Sequence, residues 1–503
     1  MTQPGSSSKP AGSALWLWLP LGIIAAAVVI GYWLTASNPI ADLPPFAPPP
    51  AAGAAAPTVA PRSAPAPTVP PAASATPVVA QGEGASDGQA VRFWPEGSSD
   101  TGDWHGRLTR PLSNLAILTV RGTPAERGTA HGALLGKEVR ALVNGVNSYL
   151  KETTPADPAG HLAACLDGAR VMKNFLEPEV LAELQACAAA AKVDPDELLL
   201  AQLFGDVNRS KKFATYCSCY AAFGPATADG GLLVGRNFDY AGHGLEKTIP
   251  LILQEIPAPV SPASAAGAVG PVRPVEAARP FVTIGYAGIL NGWTAMNADG
   301  LCSENNTLFG GTDSLEGLAT CFLVRKVVEH ARTVEEGVAI LENTPRACTT
   351  GMLVAGKNAA GQWDARLCEF DHAAVATVEP NAGVLLETNT CQKLNVAPGR
   401  VVHPEQTCSR YQTMLDVITA NRGKLTFETS AREAIAKKGV YMSINLHCAV
   451  LDPAHQRILL AVSGGIAHAD DGGVTTGAAA EKSFHIFEVS ATRVTMQAER
   501  EQE

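Results

Sequence analysis

Residues 216–224 read Tyr-Cys-Ser-Cys-Tyr-Ala-Ala-Phe-Gly, and residues 235–240 read Gly-Arg-Asn-Phe-Asp-Tyr. Between the two segments lie Pro225 and the turn residues 229–231, Asp-Gly-Gly. Glycine supplies the positive φ angle that a tight turn between antiparallel strands needs. The stretch therefore predicts a β-hairpin that brings a cysteine on one strand opposite an arginine and an aspartate on the other. A thiol facing a guanidinium and a carboxylate is a candidate nucleophile.

The first 90 residues differ in composition from the rest of the chain. Residues 15–34 form an uncharged apolar run, long enough as a helix to cross a bilayer, with aromatic residues near both ends. The run is too long for the apolar core of a cleaved signal peptide, and no cleavage site follows it. We therefore expect a cytoplasmic tail at 1–14 and an uncleaved transmembrane anchor at 15–34. The flanking charges favour a protein whose bulk lies outside the cytoplasm, in the periplasm or at the cell surface.

The composition beyond the anchor separates a linker from a globular domain. Residues 35–90 are dominated by alanine, proline, valine, threonine and serine, which cannot build a hydrophobic core. We expect an extended linker there and one globular domain at 91–503. The net charge of −10 is spread without a basic cluster, so no nucleic-acid partner is expected. No histidine or cysteine spacing forms a metal site, and no cofactor is expected.

Within the globular part, helical and strand patterns occur in blocks. A strand pattern at 112–122 is followed by the start of a helix. Thr123 and Glu126 form a predicted capping box there, with Pro124 at the first helical position, and the helix is predicted to extend to about Tyr149. Further helical patterns lie at 161–176, 178–192, 194–206, 315–331, 333–341, 408–420 and 429–437. Further strand patterns lie at 248–255, 281–286, 293–296, 301–305, 351–355, 366–371, 383–388, 442–451, 457–462 and 484–489. This order predicts a layered α+β domain with largely antiparallel sheets.

The cysteine content allows disulfides. Eleven cysteines are compatible with an exported protein, in which disulfides persist. One reactive thiol and up to five bridges would account for the odd number. The connectivity of such bridges does not follow from the sequence.

Cys217 and Cys219 compete for the role of nucleophile. Counted from Cys219, the stretch resembles the papain signature, and His372 lies near the expected spacing of about 130–150 residues. However, Phe213 stands where papain-like enzymes have a glutamine. This alternative, a papain-like cysteine protease, also leaves residues 235–239 without a role.

Counted from Cys217, a longer resemblance emerges. Residues 217–224, 226–230 and 235–239 are similar to the nucleophile hairpin of the penicillin acyltransferase (isopenicillin-N acyltransferase) family, whose members are cysteine N-terminal nucleophile hydrolases. Further similar motifs occur in the family's order at 126–132, 292–301, 388–389, 409–411 and 443–453. The resemblance covers about residues 115–465.

The chain departs from the family pattern at identifiable positions. Tyr216 precedes the nucleophile where the family commonly has glycine, and Thr390 stands where histidine is usual. A bulky residue before the nucleophile does not forbid an acyl shift. Asn305 and Asn306 both lie near a second asparagine of the family, and the sequence does not decide between them.

The resemblance implies an N-terminal nucleophile hydrolase fold, an αββα sandwich of two antiparallel sheets between helical layers. It also implies self-cleavage between Tyr216 and Cys217, which would leave fragments 91–216 and 217–503 as a heterodimer. The cut would give Cys217 a free α-amine. Because such an amine titrates at a pKa of about 7.7–8.0, it can serve as the general base for its own thiol.

The resemblance assigns a role to four further residues. Arg236 would favour the Cys217 thiolate, and Asp239 would hold the new amine. Asn389 would donate to the tetrahedral oxyanion, and Arg410 would organise the charges around the centre.

These roles imply a membrane-tethered amidohydrolase or acyltransferase. It would act on linear carbon–nitrogen bonds of a small N-acyl or peptide-like amide, through an acyl-Cys217 thioester. The alternative is a non-catalytic envelope protein that keeps the fold for binding.

Overall fold

The computed structural model describes residues 105–209, 216–258, 278–396, 408–463 and 477–497. The predicted tail at 1–14, anchor at 15–34 and linker at 35–90 lie outside the described residues, so they stay predictions. Within the described ranges, no helix combines the length and the apolar character needed to cross a bilayer.

The strands of the described residues form two sheets. One sheet has nine strands in the spatial order β1 (Gly106–Leu112), β2 (Leu115–Gly122), β5 (Pro250–Pro257), β6 (Phe281–Tyr286), β7 (Thr294–Asn297), β8 (Cys302–Thr307), β9 (Thr350–Lys357), β10 (Trp363–Phe370) and β11 (Val375–Val378). The other has seven, in the order β12 (Val384–Glu387), β3 (Tyr216–Ala222), β4 (Leu233–Asp239), β13 (Asn445–Asp452), β14 (Arg457–Val462), β15 (His485–Val489) and β16 (Val494–Met496). Strands β2 and β5 pair in parallel, and the other neighbouring strands pair antiparallel. The prediction of largely antiparallel sheets is confirmed.

The helices lie in three stretches of the chain. The α-helices of ten or more described residues are α1 (Pro124–Leu134), α2 (Gly136–Thr153), α3 (Pro158–Lys173), α4 (Pro178–Ala191), α5 (Pro195–Val207), α6 (Thr320–His330), α7 (Val334–Asn343) and α8 (Ser409–Ala420). A short helix at Phe427–Thr429 continues into a π-helical turn at Ser430–Ile435. The predicted capping box at Thr123 is confirmed, because its hydroxyl accepts from the backbone N–H of Glu126 while the Glu126 carboxylate accepts from the backbone N–H of Thr123.

Three hydrophobic cores show how these elements stack. The first joins α1–α7 to the outer face of the nine-stranded sheet and includes Leu118, Leu142, Leu184, Leu199, Leu253 and Val327. The second fills the space between the sheets and includes Ile117, Ile252, Leu353, Ala221, Val234 and Leu451. The third joins the last helical layer to the outer face of the seven-stranded sheet and includes Met414, Ile418, Ile435, Tyr220, Val450 and Leu459. The protein is therefore an α+β fold of two sheets between helical layers, as predicted.

Some local predictions were wrong. The helix predicted from Thr123 to Tyr149 is two helices, broken at Leu135 immediately before Gly136, a residue that favours helix poorly. Strand β1 and the three- and four-residue strands β16 and β11 were not predicted. The strands of three and four residues carry too few positions for an alternating pattern to stand out.

The disulfides that the cysteine content allows do not form among the described residues. All eleven cysteines lie within the described ranges, and all are free thiols. Ten are buried and one, Cys408, is partly exposed. They behave as the small apolar side chains that buried cysteines commonly are.

Two glycines set the contact between α1 and α4. The spacing of Gly128 and Gly132 predicts close packing against a sheet, but the contact is with a helix. A Cβ at Gly128 would lie 2.0 Å from the carbonyl oxygen of Glu183, and one at Gly132 would lie 2.2 Å from that of Cys187. Only residues without a Cβ allow the two helix backbones to approach this closely.

Gly132→Ala should therefore destabilise the fold. The added methyl group meets backbone atoms of α4 that cannot turn away, so we expect a loss of about 1–3 kcal/mol in the free energy of unfolding. Gly136→Ala is the matched control, because the nearest atom to its Cβ is the mobile end of Arg140 at 3.3 Å. Urea unfolding of both variants checks the prediction, and equal stability of the two would contradict it.

Candidate active site

The pairing of three strands places Cys217. Strand β3 lies between β12 and β4, with Cys217 near its first residue. On the β4 side, Cys217 pairs with Phe238 and Tyr216 pairs with Asp239. On the β12 side, Glu387 pairs with Cys219, so the chain continues past β12 to bring Asn389 beside Cys217. The hairpin predicted from the sequence is confirmed.

The buried side chain of Arg236 contacts the thiol of Cys217. Its backbone pairs with Cys219, but its side chain reaches along the sheet, and Nη2 donates to Sγ of Cys217 at 3.3 Å. Nη1 donates to the backbone oxygen of Asn305 and, at 2.7 Å, to Oδ1 of Asn306. The guanidinium is 1% exposed, so its charge acts on the thiol with little screening by water.

Asn389 and Arg410 hold the backbone of Cys217. The amide nitrogen of Cys217 donates to Oδ1 of Asn389 at 2.9 Å, and Nη1 of Arg410 donates to the carbonyl oxygen of Cys217 at 2.8 Å. Nη2 of Arg410 also donates to Oδ1 of Asn389 at 2.8 Å. The arginine lies 5.7 Å from the ring centre of Tyr216, within the range of a cation–π contact. Both backbone polar groups of Cys217, the residue that follows the bond predicted to be cut, are thus held by hydrogen bonds.

The orientation of Asn389 differs from the one that its predicted role requires. Its Nδ2 donates to the backbone oxygen of Thr307 at 2.8 Å, so this group is not free to meet an oxyanion in the uncut chain. The oxyanion role therefore stays a prediction, and it needs the amide to leave Thr307 or to turn.

Asp239 lies buried at the end of β4. Its Oδ1 accepts from Nδ2 of Asn445 at 2.8 Å and from the backbone N–H of Met442 at 3.2 Å. Its Oδ2 is buried without a hydrogen-bond partner among the described residues. Burial raises the pKa of the carboxyl to about 7, against these hydrogen bonds and the more distant charges of Arg410 and Arg236. Asp239 thus has one oxygen available for a new donor.

The Cys217 thiol is protonated in the uncut chain. Burial raises its pKa, and the charge of Asp239 raises it further. Arg236, Arg410 and the backbone N–H of Asp239 act in the opposite direction but do not outweigh burial. To act as a nucleophile, Cys217 would therefore need a base, because the cationic residues only lower the cost of ionising its thiol.

Cys217 and Arg236 lie in the wall of a cavity of about 80 Å³. Aromatic rings form much of the remaining wall: Tyr149, Phe204, Phe238, Tyr240, Trp293 and Phe309. The ring of Phe238 stacks on Trp293 at 4.8 Å and on Tyr240 at 5.3 Å, measured between ring centres. The thiol therefore opens onto a narrow space lined by aromatic rings and by polar side chains that include Asp206 and Arg209.

The structure does not support Cys219 as the nucleophile. Cys219 is fully buried and belongs to the core between the sheets, and it is not among the residues that line the cavity. The ring of His372 contacts the backbone oxygen of Arg346 at 2.9 Å through Nδ1, and His372 does not line the cavity either.

Sequence reasoning left the neighbouring asparagines undecided and missed Thr307. Asn306 contacts Arg236 with its side chain, whereas Asn305 does so with its backbone oxygen and also lines the cavity. Thr307 takes part through its backbone oxygen. Since a backbone oxygen is the same in every residue type, no sequence signal could have identified it.

A two-sheet fold between helical layers, with a cysteine near the start of a central strand, defines the class of N-terminal nucleophile proteins. Residues 226–465 match the family model described as acyl-coenzyme A:6-aminopenicillanic acid acyl-transferase. This match confirms the family resemblance over these residues. The matched range begins in the hairpin connection, after Cys217.

A known protein is similar to about half of the chain. Protein dcd1A of Dictyostelium discoideum is 25% identical over 269 residues, which are 49% of this chain and 58% of that protein. The chain thus spans less than two thirds of the length of that relative.

Three solved structures share a low similarity with this one. An N-acylethanolamine-hydrolyzing acid amidase ortholog of Caenorhabditis elegans has 16% identity and a TM-score of 0.34, over 47% of this chain and 93% of that one. Penicillin V acylase from Agrobacterium tumefaciens has 15% identity and a TM-score of 0.33, over 49% and 83%. A mutant of conjugated bile acid hydrolase from Clostridium perfringens has 11% identity and a TM-score of 0.33, over 55% and 97%.

The raised pKa of Asp239 predicts a pH-dependent stability difference. An acid whose folded pKa lies near 7 and whose unfolded value is 3.8 binds more protons in the folded state between these pH values, so it costs stability as the pH rises. Asp239→Asn removes this cost. The comparison uses a Cys217→Ala background, which removes the thiol predicted to cut the chain. Between pH 4 and pH 8, the free energy of unfolding of the asparagine variant should rise by up to about 4 kcal/mol relative to that of its parent.

Urea unfolding of the two proteins across this pH range makes the measurement. Any constant effect of the substitution cancels in the comparison, because only the change with pH is used. A difference that does not vary with pH would show that Asp239 is ionised throughout.

Proposed function

We propose that this protein is a hydrolase or acyltransferase that acts on linear amide bonds through an acyl-Cys217 thioester, after self-cleavage between Tyr216 and Cys217. The observation that carries the proposal is the surroundings of Cys217. Its thiol meets Arg236 at 3.3 Å at the wall of a cavity, and its backbone nitrogen and oxygen are held by Asn389 and Arg410.

Self-cleavage would begin with attack of the Cys217 thiol on the carbonyl carbon of Tyr216. A sulfur–carbon bond forms, the carbon–nitrogen bond breaks, and the leaving nitrogen takes up a proton to become an amine. Water then hydrolyses the thioester, which frees the thiol and leaves a carboxylate on Tyr216. Asp239 pairs with Tyr216 and has a pKa of about 7, so its neutral form is a suitable proton donor for the leaving nitrogen.

The cut would also supply the missing base. The new α-amine has an ordinary pKa of about 7.7–8.0, so near neutral pH it can accept the proton of the Cys217 thiol. Arg236 would stabilise the resulting thiolate, and the unpartnered Oδ2 of Asp239 would accept a hydrogen bond from the amine.

Turnover would then follow the same bond changes on a substrate. The thiolate attacks the amide carbonyl, the amine product leaves with a proton, and the acyl group stays on Cys217 as a thioester. Water completes hydrolysis, and a second amine completes acyl transfer. The description of the matched family, an acyl transfer to 6-aminopenicillanic acid, supports the second outcome. The narrow cavity with aromatic walls supports a small N-acyl or peptide-like amide as the substrate.

We further propose that the fragments stay together and are tethered. The first fragment would contribute β1 and β2, and β2 pairs with β5 of the second fragment over seven residue pairs. Shared hydrogen bonds and a shared core favour a heterodimer after the cut. The apolar run at 15–34 would anchor it in a membrane with the domain outside the cytoplasm.

Replacement of the nucleophile tests the proposal directly. Intact mass and N-terminal sequencing of the purified protein should reveal a fragment that begins at Cys217. Cys217→Ala should yield one uncut chain in this region and abolish amide turnover, because neither acyl step has a nucleophile. Cys187→Ala, a fully buried cysteine of α4, is the control and should be cut and active.

Three results would contradict the proposal. Full amide turnover by Cys217→Ala would exclude the acyl-thioester mechanism. An uncut wild-type chain without amide turnover would favour the alternative of a non-catalytic binding protein, and a new N-terminus at Cys219 would assign the nucleophile differently.

A further inference from the structure

A row of buried polar side chains continues behind Arg236, away from the cavity. Oδ1 of Asn306 accepts from Nη1 of Arg236 at 2.7 Å. Nδ2 of Asn306 donates to Sγ of Cys219 at 3.5 Å, and Sγ of Cys219 donates to Oε2 of Glu387 at 3.4 Å. All four side chains are at most 1% exposed, and they come from the four strands β4, β8, β3 and β12.

The far end of this row is closely confined. A Cβ on Gly351 of β9 would lie 1.5 Å from Oε1 of Glu387, so the carboxyl reaches across the space between the sheets and lies against the opposite backbone. Only a glycine at this position leaves room for it. Glu387 therefore cannot move further from Cys219 in that direction.

The two hydrogen bonds of Asn306 have one consistent direction, whereas burial raises the pKa of Glu387 as well as that of Cys219, so either of those two groups can donate in the contact between them. An arginine can only donate, so Asn306 must present its oxygen to Arg236 and its NH₂ group to Cys219. Burial raises the pKa of Cys219 well above its ordinary value, with a further contribution from Glu387, so the thiol keeps its proton and can donate to Glu387. If the Asn306 amide turned over, an N–H would face the guanidinium. Arg236 thus sets which end of the Asn306 amide faces it, and the contact with Cys219 holds the other end in place.

We propose that Cys219, Asn306 and Glu387 are positioning residues that hold the guanidinium of Arg236 against the Cys217 thiol. The inference rests on the proposed function for its effect on turnover, but the position of Arg236 also affects the thiol in the absence of substrate. It gives the second cysteine of the Cys-Ser-Cys sequence a role other than nucleophile. Cys219 serves as an acceptor for Asn306 and a donor for Glu387 in a place too confined for a larger residue.

Other charged groups also face this region and enter the pH dependence of the thiol. Glu304 of β8 has both carboxyl oxygens buried without hydrogen-bond partners among the described residues, and burial raises its pKa to about 8. Asp239 and Arg410 face Cys217 directly, and Glu369 of β10 faces Glu387. Since Glu304 makes no such hydrogen bond, it does not orient Arg236, and with a pKa of about 8 it acts on Arg236 by charge mainly at alkaline pH.

The test compares Cys219→Ala with Cys219→Ser in the full-length protein. The probe is iodoacetamide, and the rate of Cys217 alkylation is followed by mass spectrometry between pH 6 and pH 10. Alanine leaves Asn306 without an acceptor, so we expect Cys217 to be alkylated about tenfold more slowly at neutral pH, with its titration midpoint shifted upward. Serine keeps both a donor and an acceptor and should stay within about twofold of the wild type.

Two additions make the comparison decisive. Asn306→Ala removes the contact on Arg236 itself and should reproduce the effect of Cys219→Ala, so the inference stays testable should that variant not fold. Cys302→Ala is the matched control, because Cys302 is a buried thiol of the same core between the sheets but no member of the row. It should leave the alkylation of Cys217 unchanged. With an amide substrate, kcat of Cys219→Ala should fall about tenfold with little change in KM.

The outcomes separate this inference from the proposed function. A folded Cys219→Ala or Asn306→Ala variant with an unchanged Cys217 alkylation profile would overturn the positioning role. So would a Cys219→Ser variant as impaired as Cys219→Ala, because a hydroxyl preserves the contacts. Amide turnover by Cys217→Ala would instead refute the proposed function and leave the alkylation result valid.

Discussion

The site depends on a buried arginine placed against a buried thiol. A guanidinium that is 1% exposed is costly unless its donors find partners, and the two terminal nitrogens of Arg236 find them on Cys217, Asn305 and Asn306. Cys217 belongs to the seven-stranded sheet, whereas Asn305 and Asn306 belong to the nine-stranded sheet. The two sheets must therefore pack in one relative position for Arg236 to make these hydrogen bonds. The requirement that stabilises this arginine therefore also sets the electrostatics of the nucleophile.

Antiparallel pairing turns distant parts of the sequence into one centre. Asn389 lies 172 residues from Cys217 along the chain, and Arg410 lies 193 residues from it, yet both contact its backbone. Strand β12 brings the first of them by pairing with β3, and α8 carries the second over the outer face of the same sheet. The charge of Arg410 is thus available to both the carbonyl of Cys217 and the side chain of Asn389.

Local patterns predicted local structure well, and failures occurred where a distant contact decides. The hairpin and the capping box follow from residues a few positions apart, and both are present. The partner of Gly128 and Gly132 is a helix, which no pattern within α1 could specify. The cysteines form no bridges. The sequence could not predict this, because the number of cysteines does not say which of them meet in the folded core. Asn389 was identified by residue type, but its contact with Thr307 was beyond the reach of the sequence.

The sequence by itself determined the hairpin, its two candidate cysteines and the residue types that surround them, because turn chemistry and alternation act over short distances. It also indicated the family. Only the tertiary structure shows how the surroundings of Cys217 and Cys219 differ. The two are two residues apart on one strand and so point to the same side of the sheet. What differs is what lies opposite them: the cavity ends at Cys217, while Cys219 meets the second sheet and Glu387. That difference is a property of how the sheets stack, and no spacing along the chain contains it.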